Sequence, residues 1–226
     1  MHSIILHLYY QDLWPEFKSN ISNILNENTH LYVTVIDDKT DYIDDIKRLA
    51  TDVFLVENRG LDVAPFIFVY NKIKDFGYKT FLKLHTKKSL HTPNIGDYWR
   101  QSLYQPIVEN YNYILEQIKD INTPLILGSE KYYCQEDNSS PNKIAEKQFI
   151  DIACKYLNVQ DGNNFFAGTM FLVNDVYLNN LFNNIDLIEL YNKFEIGYCR
   201  GSSLAHAMER IFGYGIKHYN GTYILI

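Results

Sequence analysis

Short apolar runs and helically spaced apolar positions alternate through the first half of the chain. Ser3–Tyr10 is an apolar run that ends at Gln11-Asp12 and reads as a buried strand. Trp14, Phe17, Ile21, Ile24 and Leu25 then recur at helical spacing, which predicts a helix over 14–25. Leu31–Ile36 is a β-branched strand ending at Asp37-Asp38, and Tyr42–Ala50 is helical with Ile43, Ile46 and Leu49 on one side. Val53–Val56 makes a third strand. Asp62–Asp75 carries Val63, Phe66, Ile67, Tyr70 and Ile73 as a stripe, with Pro65 tolerated in the first turn. Thr80–Leu84 is a fourth strand, and apolar groups at 107, 111, 114, 115 and 118 predict one helix over 107–118. Beyond Leu125–Gly128 the pattern loosens. Ser129–Asn142 is polar and predicts a mobile loop suited to a lid, Phe165–Val173 a single strand, and Ser203–Phe212 a helix.

This alternation predicts an α/β fold in one Rossmann-like domain, 1–226, with a mostly parallel sheet and helices on both faces. In such sheets ligands bind beyond the carboxyl ends of the strands. Four loops, 9–12, 37–40, 57–62 and 85–89, are therefore expected at one rim. No repeat, Gly/Ser linker or like-charge block divides the chain.

Composition narrows the function. Hydrophobic residues are 46% of the 226, enough for a large core, which excludes disorder as the main state. The net charge of −6 argues against a nucleic-acid binder. Three well-separated cysteines, Cys134, Cys154 and Cys199, form neither a disulfide framework nor a zinc motif. No run approaches the ~18 apolar residues of a membrane span, and the first strand is too short and polar for a leader. A cytoplasmic setting is expected.

Five clusters carry candidate chemistry, each with a plainer alternative. Asp37 and Asp38 follow a buried strand, where carboxylates suit a nucleobase or ribose hydroxyls; the plainer reading, favoured on chemistry alone, is a polar turn in which Asp41 caps the next helix. Asn58, Arg59 and Asp62 flank Gly60 before a helix. Arg59 fits a phosphate clamp and Asp62 an ordinary cap. His85, Lys87 and Lys88 crowd a strand end, either an anion cradle or a solvated basic turn. Trp99 and Arg100, after Asp97 as a cap, fit a sugar platform or a core Trp with a snorkelling Arg. His206, Glu209 and Arg210 share one helix face, as an acid–base set or a surface ion-pair stripe. A metal site on His85 and His91 lacks a third ligand.

Together NRGLDVAPF (58–66), FLKLHTKKS (81–89), DYWR (97–100), FFAGTMFLV (165–173) and LAHAMERIFG (204–213) resemble the rhamnan synthesis protein F family, polysaccharide-assembly proteins regarded as glycosyltransferases. VIDDKTD (35–41) and ENRGLDVAPF (57–66) are also similar to the VDDGSTD and ENxGxxxARN segments of the inverting glycosyltransferases of the GT-A fold. Where that group has a metal-binding Asp-x-Asp, this chain has His85-Thr86-Lys87; where the family helix begins with Asp, it has Gly201.

The resemblance implies a GT-A-like glycosyltransferase, with a nucleotide-binding half (1–128) and an acceptor-side half (129–226). It would move a sugar, rhamnose among the candidates, from a nucleoside-diphosphate sugar to a polysaccharide or glycan, with inversion, beside partner transferases. Asp37, Asp38, Asn58, Arg59, Asp62, His85, Lys87 and Lys88 would hold the donor. Trp99, Arg100 and Arg210 would contact sugar or acceptor, and Glu209 or His206 would be the base. No metal or other cofactor is expected. The alternatives are a glycan- or nucleotide-binding module without turnover and a metal-dependent hydrolase.

Overall fold

The computed structural model describes residues 1–88, 93–198 and 201–226. Its first strands and helices follow the apolar pattern closely: β1 (His2–His7), α1 (Trp14–Ile21), β2 (Thr29–Val35), α2 (Ile43–Leu49), β3 (Asp52–Leu55), α3 (Val63–Ile73) and β4 (Thr80–His85). Then come α4 (Pro93–Glu109), α5 (Tyr111–Ile118), β5 (Leu125–Gly128), β6 (Tyr133–Gln135), α6 (Pro141–Leu157), β7 (Asn164–Phe166) and β8 (Phe171–Asn174). The chain closes with α7 (Asp175–Leu181), α8 (Leu187–Lys193), α9 (Leu204–His218) and β9 (Thr222–Leu225).

Among the described residues seven strands form one sheet in the order β3-β2-β1-β4-β8-β5-β9. Every pairing in it is parallel except the two made by β8. Side chains alternate between two cores, as a sheet buried on both faces requires. Ile4 and Leu6 face one core with Trp14, Phe17, Leu103 and Tyr104; Ile5 faces the other with Phe66, Tyr177 and Phe212. Helices α1, α2, α4 and α5 cover the first face, and α3, α6, α7, α8 and α9 the second. α3 is apolar nearly all round because it lies between the sheet and both α8 and α9.

Three expectations are corrected. The helix foreseen over 107–118 is two. Pro106 removes a backbone donor near the end of α4, and the Asn110 side chain donates to the Pro106 carbonyl at 2.9 Å where the first helix stops. The strand foreseen over 165–173 is also two. Gly168 (φ +89°) and Thr169 (φ +50°) turn the chain between β7, which pairs with β6, and β8, which enters the main sheet. Finally, the polar stretch 129–142 is ordered, because β6 pairs along β7 and Glu136 binds Arg210.

Because β1 to β4 are parallel, their carboxyl ends share one rim, which the start of antiparallel β8 joins. Strand order reverses between β1 and β4, which opens a crevice there.

Candidate functional site

The Gly168–Thr169 turn is held from four sides at this crevice. Thr169 Oγ1 donates to Asp62 Oδ2 at 2.5 Å, and the Thr169 carbonyl accepts from Lys83 Nζ at 3.0 Å. The Gly168 carbonyl accepts from His85 Nε2 at 2.8 Å, while its N–H donates to Glu209 Oε1 at 2.6 Å. Lys83 also pairs directly with Asp62 Oδ2, and His85 Nε2 lies 3.9 Å from that oxygen. Residues of β4, α3, the β7–β8 turn and α9 thus meet at one point.

The charges are set by burial and by one another. Burial alone would raise the Asp62 carboxyl, but its charged neighbours and the hydrogen bonds from Lys83 and Thr169 hold it well below the usual carboxylate range. Burial lowers His85, only partly opposed by Asp62, so the ring is neutral at pH 7 and Lys83 is the counter-ion. Lys83 is itself lowered by burial and supported by Asp62. Glu209 is raised by burial, against the Gly168 N–H and the charges of Lys87 and Arg210. His7 abuts His85 in the sheet register and is brought down to about 3, chiefly by burial.

The other candidates are placed as follows. Tyr10 N–H donates to Thr86 Oγ1 at 2.8 Å and Gln11 Nε2 to the Asp37 carbonyl at 3.0 Å, so the loops after β1, β2 and β4 do meet. Asp37 and Asp38 are exposed on this rim. Asp62 sits at the N-cap position of α3 but makes no capping bond, because Lys83 and Thr169 claim it. Gly60 takes φ +58°, and the Asn58 carbonyl accepts from Gly197 N–H at 2.7 Å. Arg59 spends its guanidinium on the Phe194 and Asn192 carbonyls at 2.6 and 3.1 Å and on Glu57, fastening this loop to the C-terminal end of α8. Lys88 pairs with Asp12, and Lys87 lies 3.8 Å from the centre of the Trp99 ring.

Arg100 is buried and grips Glu16 with two nitrogens while donating to Asp97 and the Lys87 carbonyl. Asp97 therefore lies inside α4 as an ion-pair partner, not ahead of the helix as a cap. Arg210 is buried and makes two bonds to Glu136, at 2.8 and 3.2 Å. His206 Nδ1 lies 2.7 Å from the hydroxyl of Ser203, the N-cap residue of its own helix. The expected stripe of three on α9 therefore separates: His206 binds the Ser203 cap, Arg210 binds Glu136 beside β6, and Glu209 reaches the central turn. His91 and Ser89 lie outside the described residues.

The family model described as "Rhamnan synthesis protein F" matches residues 2–220. The chain belongs to this family. Curated relatives include the uncharacterized protein WxcX of two strains of Xanthomonas campestris pv. campestris, 28% identical over 232 residues and 95% of this chain. The chain spans 31% of the length of those relatives. Among solved structures, S. aureus TarS 1-349 aligns with 95% of this chain and 55% of its own at 7% identity, with a TM-score of 0.44.

The family match takes in every residue of the central cluster, including those that periodicity does not single out. Lys83, in the middle of the apolar run Phe81–Leu84, is a visible exception to its strand and points to a buried counter-charge. Thr169 gives no such signal, because Gly-Thr inside FFAGTMFLV is compatible with an unbroken strand. Glu16 is concealed likewise: nothing local shows that it serves Arg100 and Tyr104 from across the fold.

Proposed function

We propose that this chain is a glycosyltransferase domain that moves a sugar, rhamnose or another hexose, from a nucleoside-diphosphate sugar to a polysaccharide or glycan acceptor with inversion at the anomeric carbon. Family membership supports the sugar-polymer setting. The observation that carries the chemistry is Glu209, a carboxyl raised by burial and fixed on the Gly168 N–H at the rim that also holds Lys87.

Inverting transfer needs one base and one anion cradle, with no covalent nucleophile. The acceptor hydroxyl gives its proton to Glu209 as its oxygen bonds to the anomeric carbon. The bond from that carbon to the diphosphate breaks, and both electrons leave with the diphosphate. Lys87 and Lys88 meet the departing charge, so the step runs without a divalent cation. Residues 1–128 hold the donor and 129–226 the acceptor side, in a cytoplasmic protein that works beside other transferases. A binding module without turnover is the second reading. It is favoured by Arg59, Arg100 and Arg210, whose guanidinium groups are all engaged within the protein.

The assay is release of nucleoside diphosphate from activated sugars, with and without glycan acceptor and with excess chelator. Acceptor-dependent release that survives chelator is expected, and Glu209→Gln should reduce it at least 100-fold while donor affinity stays within about twofold. Donor binding with no release from any acceptor would favour the binding module. Near-normal transfer by Glu209→Gln would place the base elsewhere.

A further inference from the structure

We infer that Asp62 reads the hydroxyl groups of the donor sugar, not its diphosphate, and that Lys83 is the positioning residue that makes it a fixed acceptor. This deepens the transferase reading and rests on it. Both donors to the carboxylate, Lys83 Nζ and Thr169 Oγ1, bind the same oxygen, Oδ2. Oδ1 has no hydrogen-bond partner among the described residues, and it is not a buried, unsatisfied atom. The Asp62 side chain keeps 16% of its surface, whereas that of Lys83 keeps 1%. The crevice therefore meets a carboxylate oxygen and not the ammonium that neutralises it.

An ionised carboxylate only accepts hydrogen bonds. A sugar hydroxyl can donate to it; a diphosphate oxygen has no proton to offer and is repelled. The lysine behind Asp62 balances the charge, which keeps the carboxyl ionised without giving the ligand a cation to bind. Phosphate recognition falls instead to the rim around Lys87. The position is also fixed in space. Thr169 is a β-branched residue at φ +50°, a conformation retained only where its surroundings over-determine it, and its hydroxyl on Asp62 and its carbonyl on Lys83 brace the direct pair between them.

The test compares free UDP, GDP and dTDP with their hexose conjugates by calorimetry, in wild type and Asp62→Asn. Asp62→Asn should weaken the preferred nucleotide sugar at least tenfold and leave the free diphosphate within about twofold. Asp62→Asn/Lys83→Met removes both charges and serves if the single variant does not fold. In wild type, donor analogues lacking one ring hydroxyl supply a readout without mutation: at least one should lose tenfold or more, and that loss should vanish in the variant. Equal weakening of sugar conjugate and free diphosphate, or indifference to every missing hydroxyl, would overturn the assignment while sparing the transferase reading. A wild type that binds none of these nucleotides would remove both.

Discussion

Lys83 is tolerated inside an apolar strand because its ammonium has four companions: the Asp62 carboxylate, the Thr169 carbonyl, and the faces of Phe66 and Phe171, each ring 5.9 Å away. Removing Lys83 leaves the Asp62 carboxylate charged and only partly solvated, through the one oxygen that faces the crevice. Lys83→Met should therefore cost about 3–5 kcal/mol in denaturant unfolding, and adding Asp62→Asn should recover much of it, since two neutral groups no longer need each other. A loss below about 1 kcal/mol for the single variant would mean that water reaches the pair. Glu209 is a different kind of residue. Its bond to the Gly168 N–H orients a carboxyl without neutralising it, so its replacement by Gln is expected to change chemistry far more than stability.

At the scale of elements, the β7–β8 turn links fold and site. A Cβ on Gly168 would lie 2.8 Å from Leu103 Cδ1, at a φ of +89° that L-residues rarely adopt. Gly168→Ala should lower stability by about 1–3 kcal/mol, a drop of roughly 2–12 °C in thermal midpoint, and slacken the hold on Glu209. An unchanged midpoint would show that the turn relaxes freely. This turn also marks where sequence reading stops. Strands and helices through residue 85 are legible because each buries a face with its own period, 2 or 3.6. The split at 168–169 is not, because both halves are apolar and only φ separates them. Helices α6, α7 and α8 escape for a related reason: their buried positions are few and mixed with polar ones, Lys143 and Glu146 of α6 among them. Candidate site residues near strand ends could be found from topology alone, but their partners could not. Arg59, Arg100 and Arg210 look like ligand contacts in sequence, yet Phe194, Glu16 and Glu136 hold them from distant segments.

For the whole molecule, neighbouring buried imidazoles on adjacent strands set the response to acid. His7 donates or accepts through Nδ1 with Thr34 Oγ1 at 2.8 Å, and around it lie Asp62, Lys83 and His85. Above pH 6.5 both histidines are neutral in folded and unfolded chains and contribute no pH dependence. Below it the unfolded chain takes up protons that the native His7 refuses until about pH 3, and native His85 is likewise lowered. Stability should thus fall as the solution is acidified below pH 6.5, by roughly 1.4 kcal/mol per pH unit from His7, with His85 acting in the same direction. Denaturant unfolding from pH 7.5 to 4.5 should show this slope, and His7→Gln should make it shallower; a flat profile would mean that both rings protonate in place.

The placing of β5 between β8 and β9 has a consequence for how the protein is made. Its neighbours are residues 171–174 and 222–225, so Leu125–Gly128 leaves the ribosome long before either exists. The parallel set β1 to β4 is, by contrast, complete once residue 85 has emerged. Synthesis thus leaves a wholly apolar strand without either neighbour for about another forty residues and without β9 for about another hundred, and the nascent chain needs shelter for that segment meanwhile.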